Sequence, residues 1–364
     1  MFKGGIQRYV KELTELQSTK GYNVTIYSCS KIQSTEIINN VIIKRFKYVE
    51  IFRTPISLTM ILSLLKERFD IIHIHAQFPL VAEIIAIIAK LRNIPVVITY
   101  HNEVDLTSLS FFAKLIHNIW SKTLLRLMLS ISKAIIITNK EYGITSSILG
   151  NNKYNKKTVV IPCGILYNHA QPNENTIRPK HYLLYVGRIK PEKGLHILIE
   201  ALYLLKEQGI YLDLLIVGEA TRKEEVVYKK KLEELITKFN LIKHVKFLGG
   251  ISDEDLAGYY TNAMALVLPS ISRLEGFGIV QLEAVKYGIP IIVSDIPGPR
   301  SVVRESIRCK PNDARDLANS ILKVMDEDVR KNIITSYQQI IDEYNWHNLI
   351  DKIEKIYRTA LLKG

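Results

Sequence analysis

Short runs of β-branched apolar residues alternate along the chain with longer segments in which apolar residues recur every three to four positions. Near-continuous runs such as Val96-Val97-Ile98 are typical of strands buried on both faces of a parallel sheet. The pattern predicts helices that include 5–20, 80–91 and 111–133. It predicts strands at 24–28, 41–46, 70–74, 96–100, 134–138, 158–161, 182–186, 213–217, 245–248, 265–268 and 291–293. Such alternation indicates an α/β protein with doubly wound sheets.

The length of 364 residues suits two such domains, because a domain usually has about 100–200 residues. The polar stretch 167–180, which contains two prolines, is the predicted linker. We therefore expect one domain at 1–168, a second at 169–344 and a closing helix at 345–364. The predicted fold is α/β, with two Rossmann-like domains that face each other across a cleft.

The start of the first domain departs from the doubly wound pattern. A strand normally delivers the chain to a glycine-rich turn, whereas Gly4-Gly5 follows only three residues and leads at once into a predicted helix. We expect the first, central strand of this domain to be missing, which would leave two neighbouring strands without a ladder partner. The alternative is an ordinary flexible N-terminus before a first helix.

Charge is distributed unevenly over the two halves. Residues 1–168 hold 21 basic and 10 acidic side chains, a net +11, whereas residues 169–364 hold 28 and 26, a net +2. The first half is therefore expected to meet an anionic partner, such as nucleic acid, a membrane surface or a phosphorylated substrate. The three distant cysteines argue against a disulfide framework and a cysteine-rich metal site, so we expect a cytoplasmic protein.

Two carboxylates flank a glycine-rich segment in the second half. Glu275 precedes Gly276 and Gly278, and Glu283 follows eight positions after Glu275. We expect a loop after strand 265–268 that leads into a helix at 277–287. The N-terminus of such a helix suits a phosphate, and Glu283 could accept hydrogen bonds from ribose or sugar hydroxyls. The alternative is that both carboxylates are ordinary solvated residues.

A second phosphate-binding pattern lies earlier in the same half. Strand 182–186 is followed by Gly187, Arg188 and Lys193 before a predicted helix at 195–205. Arginine binds phosphate in a bidentate manner and lysine supplies a point charge. A third strand end brings Gly218 to the same carboxyl edge, which is where open α/β sheets bind ligands.

In combination, four motifs resemble those of the family-four retaining glycosyltransferases (glycosyl transferases group 1), which have the GT-B fold. They are Gly4-Gly5, Tyr100-His101-Asn102, Val186-Gly-Arg-x-x-x-x-Lys193 and Glu275-x7-Glu283. The resemblance extends over essentially the whole chain. It implies an acceptor-binding first domain, a second domain that binds a nucleotide-sugar donor, and a closing helix that crosses back to the first domain.

The resemblance also implies roles for donor-site residues. Arg188 and Lys193 would clamp the donor diphosphate, Glu275 would contact the donor sugar, and Glu283 would hold the ribose. The backbone at Phe277 and Gly278 would lie near the phosphates.

From the first domain, Gly5 would approach the diphosphate and His101 would lie beside the reacting sugar. We expect His101, Glu275, Arg188 and Lys193 to carry the reaction, with no cofactor and no obligatory metal. We expect the donor to be a substrate that is linked to UDP or GDP.

Two groups of residues could instead be interpreted as metal sites. Asp253-Glu-Asp255 is explained more simply by a helix N-terminus that Ser252 caps. His73, His75 and His101 lie at predicted strand ends and could converge as ligands, although strand-end histidines often have structural roles.

A basic segment in the first half points to the acceptor. No acidic residue occurs between Leu106 and Lys140, where basic and aromatic residues are interleaved; they include Lys114, Trp120, Lys122 and Arg126. A helix of this kind could lie on an anionic membrane, at its inner face, and collect a lipid-linked acceptor. The alternatives are an ordinary sheet-covering helix and a soluble sugar or sugar-phosphate acceptor.

Two other functions remain open. A GT-B-fold nucleotide-sugar epimerase would share the donor site and need no separate acceptor. A nonenzymatic homologue would bind the donor without turnover. A nucleic-acid binder is disfavoured because no recognised motif accompanies the charge.

Overall fold

The computed structural model describes residues 4–51, 54–76, 80–101, 103, 111–150, 153–167 and 182–362. The chain divides into two compact units. The first consists of Met1–Leu166 together with Trp346–Gly364, and the second of Tyr167–Asn345.

The chain up to residue 166 contains nine strands and six α-helices among its described residues. In order they are α1 (Gly5–Thr19), β1 (Thr25–Ser30), β2 (Ser34–Ile38), β3 (Val41–Lys47), β4 (Val49–Ile51), β5 (Thr54–Ile56), α2 (Leu58–Lys66), β6 (Ile72–Ala76), α3 (Val81–Leu91), β7 (Val96–Tyr100), α4 (Phe111–Lys122), α5 (Leu124–Ile131), β8 (Ala134–Ile137), α6 (Lys140–Thr145) and β9 (Thr158–Val160).

The later part of the chain continues the alternation. Its elements are β10 (Tyr182–Val186), α7 (Leu195–Glu207), β11 (Asp213–Val217), α8 (Lys223–Lys238), β12 (Val245–Gly249), α9 (Asp253–Thr261), β13 (Ala263–Leu268), α10 (Val280–Lys286), β14 (Ile291–Ser294), β15 (Ile307–Cys309), α11 (Ala314–Met325), α12 (Glu327–Thr335), α13 (Tyr337–Tyr344) and α14 (Trp346–Leu362). Every predicted strand is present, and its ends differ from the prediction by two residues at most.

The strands of the first unit form separate sheets rather than one doubly wound sheet. They are ordered β1-β3-β2, β4-β5 and β6-β7-β8-β9, and the last of these is parallel throughout. Within the described segments, β1 and β6 each pair on one side only. Tyr27 of β1 and Ile72 of β6 nevertheless pack into the same core cluster with Met60 and Leu64 of α2. That the first strand of this domain is missing stays a prediction.

The closing helix α14 packs against α1 within the first unit. The fully buried Trp346 donates from Nε1 to Oε2 of Glu12 at 2.7 Å. Gln17 donates to the hydroxyl of Tyr357 at 2.9 Å. A Cβ at position 164 would lie 2.5 Å from the indole of Trp346, so glycine there permits the close packing. No helix in the described part of the chain has both the length and the apolarity that spanning a bilayer requires.

The second unit is built on one six-stranded parallel sheet. The strand order is β12-β11-β10-β13-β14-β15, so successive crossovers run outward in opposite directions from β10 and β13. The four central strands, β10, β11, β13 and β14, are almost completely buried because α7, α8 and α11 contribute to the core beside them. In an open α/β sheet, the carboxyl edge at the point where the order reverses is the usual ligand site. Here that point lies between β10 and β13.

Two predicted helices were wrong in extent. The helix predicted at 111–133 is two helices, α4 and α5, because the backbone leaves the helical region at Thr123 (φ −114°, ψ −88°). The helix predicted at 277–287 begins only at Val280 because Gly278 has a left-handed φ of +75°.

Candidate functional site

The loops after β10 and β11 are in direct contact at the carboxyl edge of the second unit's sheet. The amide of Gly187 donates to the carbonyl of Val217 at 2.9 Å. A Cβ at Gly218 would lie 1.9 Å from the carbonyl oxygen of Gly187, so a side chain there would force the two loops apart. The structure therefore brings together Gly187 and Gly218, which the sequence identified separately.

The loop after β14, which contains Pro297-Gly-Pro-Arg300, lies directly against the loop that carries Glu275. A Cβ at Gly298 would lie 1.8 Å from the carbonyl oxygen of Glu275, although the backbone of Gly298 is in the ordinary right-handed region. Glycine is required here because the two loops approach each other closely, and not because of its backbone conformation. The signal that could have identified it is Pro297-Gly-Pro299, directly after a buried strand.

Arg188 lies at the first of these loops and its side chain is exposed. Its carbonyl accepts a hydrogen bond of 2.8 Å from the hydroxyl of the buried Tyr185, which fixes the backbone at the end of β10. Its guanidinium pairs with no carboxylate of the described residues. The arginine is therefore available to an anionic ligand.

Lys193 and Glu275 form an ion pair between the loops that follow β10 and β13. The two side chains are only 19% and 16% exposed. The buried Ser270 donates to Oε2 of Glu275 at 3.3 Å. Lys193 and Glu275 were predicted to have separate roles, and Ser270 was not predicted as a site residue. An anion that enters this site competes with Glu275 for the ammonium of Lys193.

Gly276, Phe277 and Gly278 lie in a loop and not in the first turn of a helix. Phe277 is buried and its ring contacts Tyr344 edge to face, with centroids 5.9 Å apart. Its carbonyl accepts a hydrogen bond from Gln281 at 3.0 Å. These residues therefore lie in a loop just before α10, and the contact of their backbone with a phosphate stays a prediction.

Glu283 is buried within α10, with a relative exposure of 6%. The hydroxyl of Tyr260 donates to its Oε2 at 2.5 Å. The alternative that Glu283 is a solvated helix residue is therefore wrong. Tyr260 was missed because it lies outside every motif that the sequence suggested.

His101 follows β7 in the first unit and is buried beside two other histidines. Its Nε2 lies 3.1 Å from Nδ1 of His75, and its ring contacts Tyr9 edge to face. Burial lowers the pKa of His73 and of His101 well below the usual range, with the neighbouring histidines adding to the effect, and it lowers the pKa of His75 to about 4. The three imidazoles are therefore neutral near pH 7.

Hydrogen bonds occupy these histidines in place of a metal ion. His73 bridges the hydroxyls of Tyr357 and Thr99, at 2.6 and 2.7 Å. No group of three histidine, cysteine, aspartate or glutamate side chains in the described ranges has a metal-binding arrangement. At Asp253–Asp255, Ser252 accepts from the amide of Asp255 at 3.1 Å, so the predicted helix cap is confirmed. Gly5 is exposed at the first position of α1.

The basic segment of the first unit has a different arrangement from the predicted one. Lys114 and Lys122 are exposed on α4, whereas Arg126 lies on α5 and is half-buried. Trp120 faces inward and donates from Nε1 to Glu83 at 3.0 Å. Trp120 and Arg126 therefore do not share one exposed face with the lysines.

Exposed apolar side chains form a stripe along α4. The two most exposed are Phe111 and Phe112, at 76% and 74%. At 100° per residue the whole stripe covers about 140° of the helix. It consists of Phe111, Phe112, Leu115, Ile116 and Ile119. A contiguous exposed stripe of this kind marks an interaction surface.

Both units of the chain match families of known proteins. The profile of Glycosyltransferase Family 4 matches residues 3–166, and that of Glycosyl transferases group 1 matches residues 168–339. The chain is 24% identical to the O-antigen chain mannosyltransferase C of Escherichia coli, over 98% of this chain and 95% of that protein. It is also 24% identical to the phosphatidyl-myo-inositol mannosyltransferase of Mycobacterium leprae, over 99% and 94% of the two chains.

A solved structure has the same fold. Sucrose-phosphate synthase from Thermosynechococcus elongatus superimposes with a TM-score of 0.77 and 21% identity, over 99% of this chain and 94% of that one. This similarity confirms the predicted GT-B fold with its two α/β domains and parallel sheets.

Proposed function

The chain belongs to the glycosyltransferases, with a Family 4 domain followed by a group 1 domain, and we propose that it transfers a hexose from a nucleoside-diphosphate sugar with retention of anomeric configuration. The donor class follows from the family. The hexose is supported by the mannosyltransferase relatives. A second candidate function has no specific observation in its favour.

One observation carries the proposal: the loops that follow β10 and β13, on either side of the point where the strand order reverses, carry charged side chains that suit such a donor, and α10 adds a buried carboxylate. The guanidinium of Arg188, which pairs with no carboxylate in the described part of the chain, and the ammonium of Lys193 suit the diphosphate. Glu275 suits sugar hydroxyls, and the buried carboxylate of Glu283 suits the ribose. Contacts between loops hold Lys193 and Glu275, and a hydrogen bond between two helices holds Glu283, so these side chains are positioned before the donor binds.

The proposed chemistry follows from where charge develops. Negative charge grows on the diphosphate as the glycosidic bond to it breaks, and the sugar takes on oxocarbenium character. Arg188 and Lys193 stabilise that growing charge, while Glu275 loses part of its ion pair and turns to the sugar. The acceptor hydroxyl attacks from the face that the diphosphate leaves, and a diphosphate oxygen takes its proton. We further propose that the protein's own cations make a metal ion unnecessary.

Calorimetric titration with UDP, GDP and ADP, without metal and with EDTA, tests the donor site. We expect one nucleotide to bind, and we expect Arg188→Ala and Glu283→Ala to weaken it about tenfold or more each, as the loss of a charged hydrogen bond would. Lys190→Ala is the matched control, because Lys190 lies in the same loop as Arg188 but pairs with Glu192.

Transfer is then followed as nucleotide release from the matching donor sugar. Release that requires an acceptor supports the transferase. Interconversion of the donor without acceptor would indicate an epimerase, and binding without turnover a nonenzymatic homologue. If no nucleotide binds the folded protein, the proposal fails.

We also propose that the first unit docks on an anionic membrane and receives a lipid-linked acceptor there. The exposed stripe of α4 supplies apolar surface, and Lys114 and Lys122 on the same helix supply positive charge. The net +11 of residues 1–168 favours the same partner.

Flotation with phospholipid vesicles tests the docking. Wild-type protein is expected to bind vesicles that contain phosphatidylglycerol and not those of phosphatidylcholine alone. Phe111→Ser with Phe112→Ser should lower the partition coefficient at least about tenfold, given the apolar area removed. Val226→Ser with Val227→Ser, two exposed valines of α8 in the second unit, is the matched control. Equal binding by both double variants would exclude α4 as the docking surface.

A further inference from the structure

A buried hydrogen bond joins the candidate ribose carboxylate to a residue of a different helix. The hydroxyl of Tyr260, on α9, donates to Oε2 of Glu283, on α10, at 2.5 Å. Tyr260 is 1% exposed and Glu283 is 6% exposed. The distance is that of an O–H···O⁻ hydrogen bond, the stronger, charge-assisted kind.

The position of Tyr260 is fixed without the help of Glu283. Its ring stacks on Tyr287, with centroids 5.4 Å apart and planes inclined by 11°. The helix that carries it is anchored at both ends: Ser252 caps the start, and the hydroxyl of Tyr182 donates to the carbonyl of Tyr259 at 2.7 Å. The phenol is thus a rigid donor at a defined point.

A carboxylate is costly to bury, and apolar side chains could fill the same volume at lower cost. Packing alone therefore does not explain Glu283. Its two oxygens offer about four acceptor positions, so a carboxylate that accepts from Tyr260 retains acceptor capacity for the hydroxyls of a ligand. An unanchored glutamate would lose rotamer freedom on binding, whereas an anchored one has already done so.

We propose that Tyr260 is a positioning residue that orients the carboxylate of Glu283 for the ribose diol of a nucleoside diphosphate. This inference rests on the proposed function. It has a consequence for specificity. Tyr260 should affect the affinity for ribose hydroxyls and not the affinity for the diphosphate, which Arg188 and Lys193 contact.

Binding of ribo- and deoxyribonucleotides separates these roles. The ligands are whichever of UDP, GDP and ADP the wild type binds, and its 2′-deoxy and 3′-deoxy forms. We expect the wild type to prefer the ribonucleotide over at least one deoxy form by about tenfold or more, as sites that hydrogen-bond a hydroxyl do. Tyr260→Phe should weaken the ribonucleotide about tenfold and change the deoxy form less than about twofold, so the preference should nearly vanish.

Tyr203→Phe is the matched control. Tyr203 also stacks on an aromatic ring of the second unit, that of Phe239 at 4.3 Å, and its hydroxyl has no hydrogen-bond partner in the described residues. It should leave both affinities unchanged. Thermal unfolding with each variant identifies any loss of folded protein. If Tyr260→Phe does not fold, Glu283→Gln is expected to reduce the same preference while retaining the shape of the side chain.

An equal loss for ribo- and deoxyribonucleotides in Tyr260→Phe would mean a merely structural role and would overturn the inference. An unchanged preference in Tyr260→Phe would overturn it as well, and in both cases the proposed function stands. Absence of nucleotide binding by the wild type would instead remove the proposed function together with this inference.

Discussion

At the scale of single residues, the buried histidines of the first unit link stability to pH. His73, His75 and His101 have pKa values lowered by burial, to about 4 for His75, whereas a histidine of the unfolded chain has a pKa of about 6.5. As pH falls through 6.5 the unfolded chain therefore takes up protons that the folded chain does not. The histidines' contribution to the free energy of unfolding is complete above that pH. It is lost as pH falls towards 4, by up to about 1.4 kcal/mol per pH unit for each histidine.

The measurement is urea unfolding of the whole chain at pH 7, 6 and 5. We expect the free energy of unfolding to fall from pH 7 to pH 5. In His75→Gln its dependence on pH should be weaker, by the uptake of about one proton fewer on unfolding. The carboxylates whose pKa is lowered, Glu67 and Glu225, lose their contribution only at more acidic pH. A slope in His75→Gln that equals that of the wild type would contradict the assignment.

The same scale explains what a sequence can predict about a site. Arg188, Glu275 and Glu283 could be proposed as site residues because their residue types and spacing suit the chemistry of a phosphorylated ligand. Their partners could not. Ser270 and Tyr260 are common residue types in unremarkable positions, and only the packing of loops and helices brings them to the carboxylates.

At the scale of elements, the position of the loop after β14 requires a residue without a side chain. Gly298 has ordinary right-handed backbone angles, so alanine introduces no backbone strain, but its Cβ would lie 1.8 Å from the carbonyl of Glu275. We expect Gly298→Ala to move the loop that carries Glu275 and to weaken nucleotide binding at least about tenfold, at a stability cost of about 1–3 kcal/mol.

Gly209→Ala is the control for that stability loss. Gly209 has a φ of +81°, and a Cβ there would meet no atom within 4 Å, so its substitution strains only the backbone. It should destabilise by about 1 kcal/mol and leave binding unchanged. Normal nucleotide affinity in Gly298→Ala, measured by calorimetry, would mean that the loop after β14 does not support the site.

Secondary-structure elements could be predicted where a single pattern of apolar residues defines them. Strands β7, β10 and β11 agree with the prediction residue for residue because each is a continuous apolar run between turns. The hairpin of β2 and β3 was missed because β2 is mostly exposed and has no apolar pattern. Its signal is Asn39-Asn40, whose two positive φ values of 50° and 61° suit a tight hairpin turn.

At the scale of the whole molecule, residues from both ends of the chain build the first unit. The sequence predicted a closing helix, yet its attachment depends on contacts that no local pattern encodes. Trp346 is fully buried, and its indole donates to Glu12 on α1, 334 positions earlier. Apart from Gly5, the candidate nucleotide-binding residues belong to the second unit.

This division predicts that a destabilising substitution in α14 lowers the stability of the first unit and leaves nucleotide affinity nearly unchanged. Trp346→Ala removes a large buried side chain and should cost the first unit about 3–5 kcal/mol, as such truncations do. Because most of the proposed nucleotide contacts lie in the second unit, we expect nucleotide affinity to change less than about threefold. Trp346→Phe retains most of the volume and should cost less, since it chiefly removes the hydrogen bond to Glu12.

The chain itself supplies the probe. It contains two tryptophans, so in either variant the remaining fluorescence comes from Trp120, which lies in the first unit. Urea unfolding followed by this signal measures the first unit, and calorimetry with the bound nucleotide measures the second. If Trp346→Ala lost nucleotide affinity in proportion to its stability, the two units would be energetically one, and the assignment of the donor contacts to the second unit alone would be wrong.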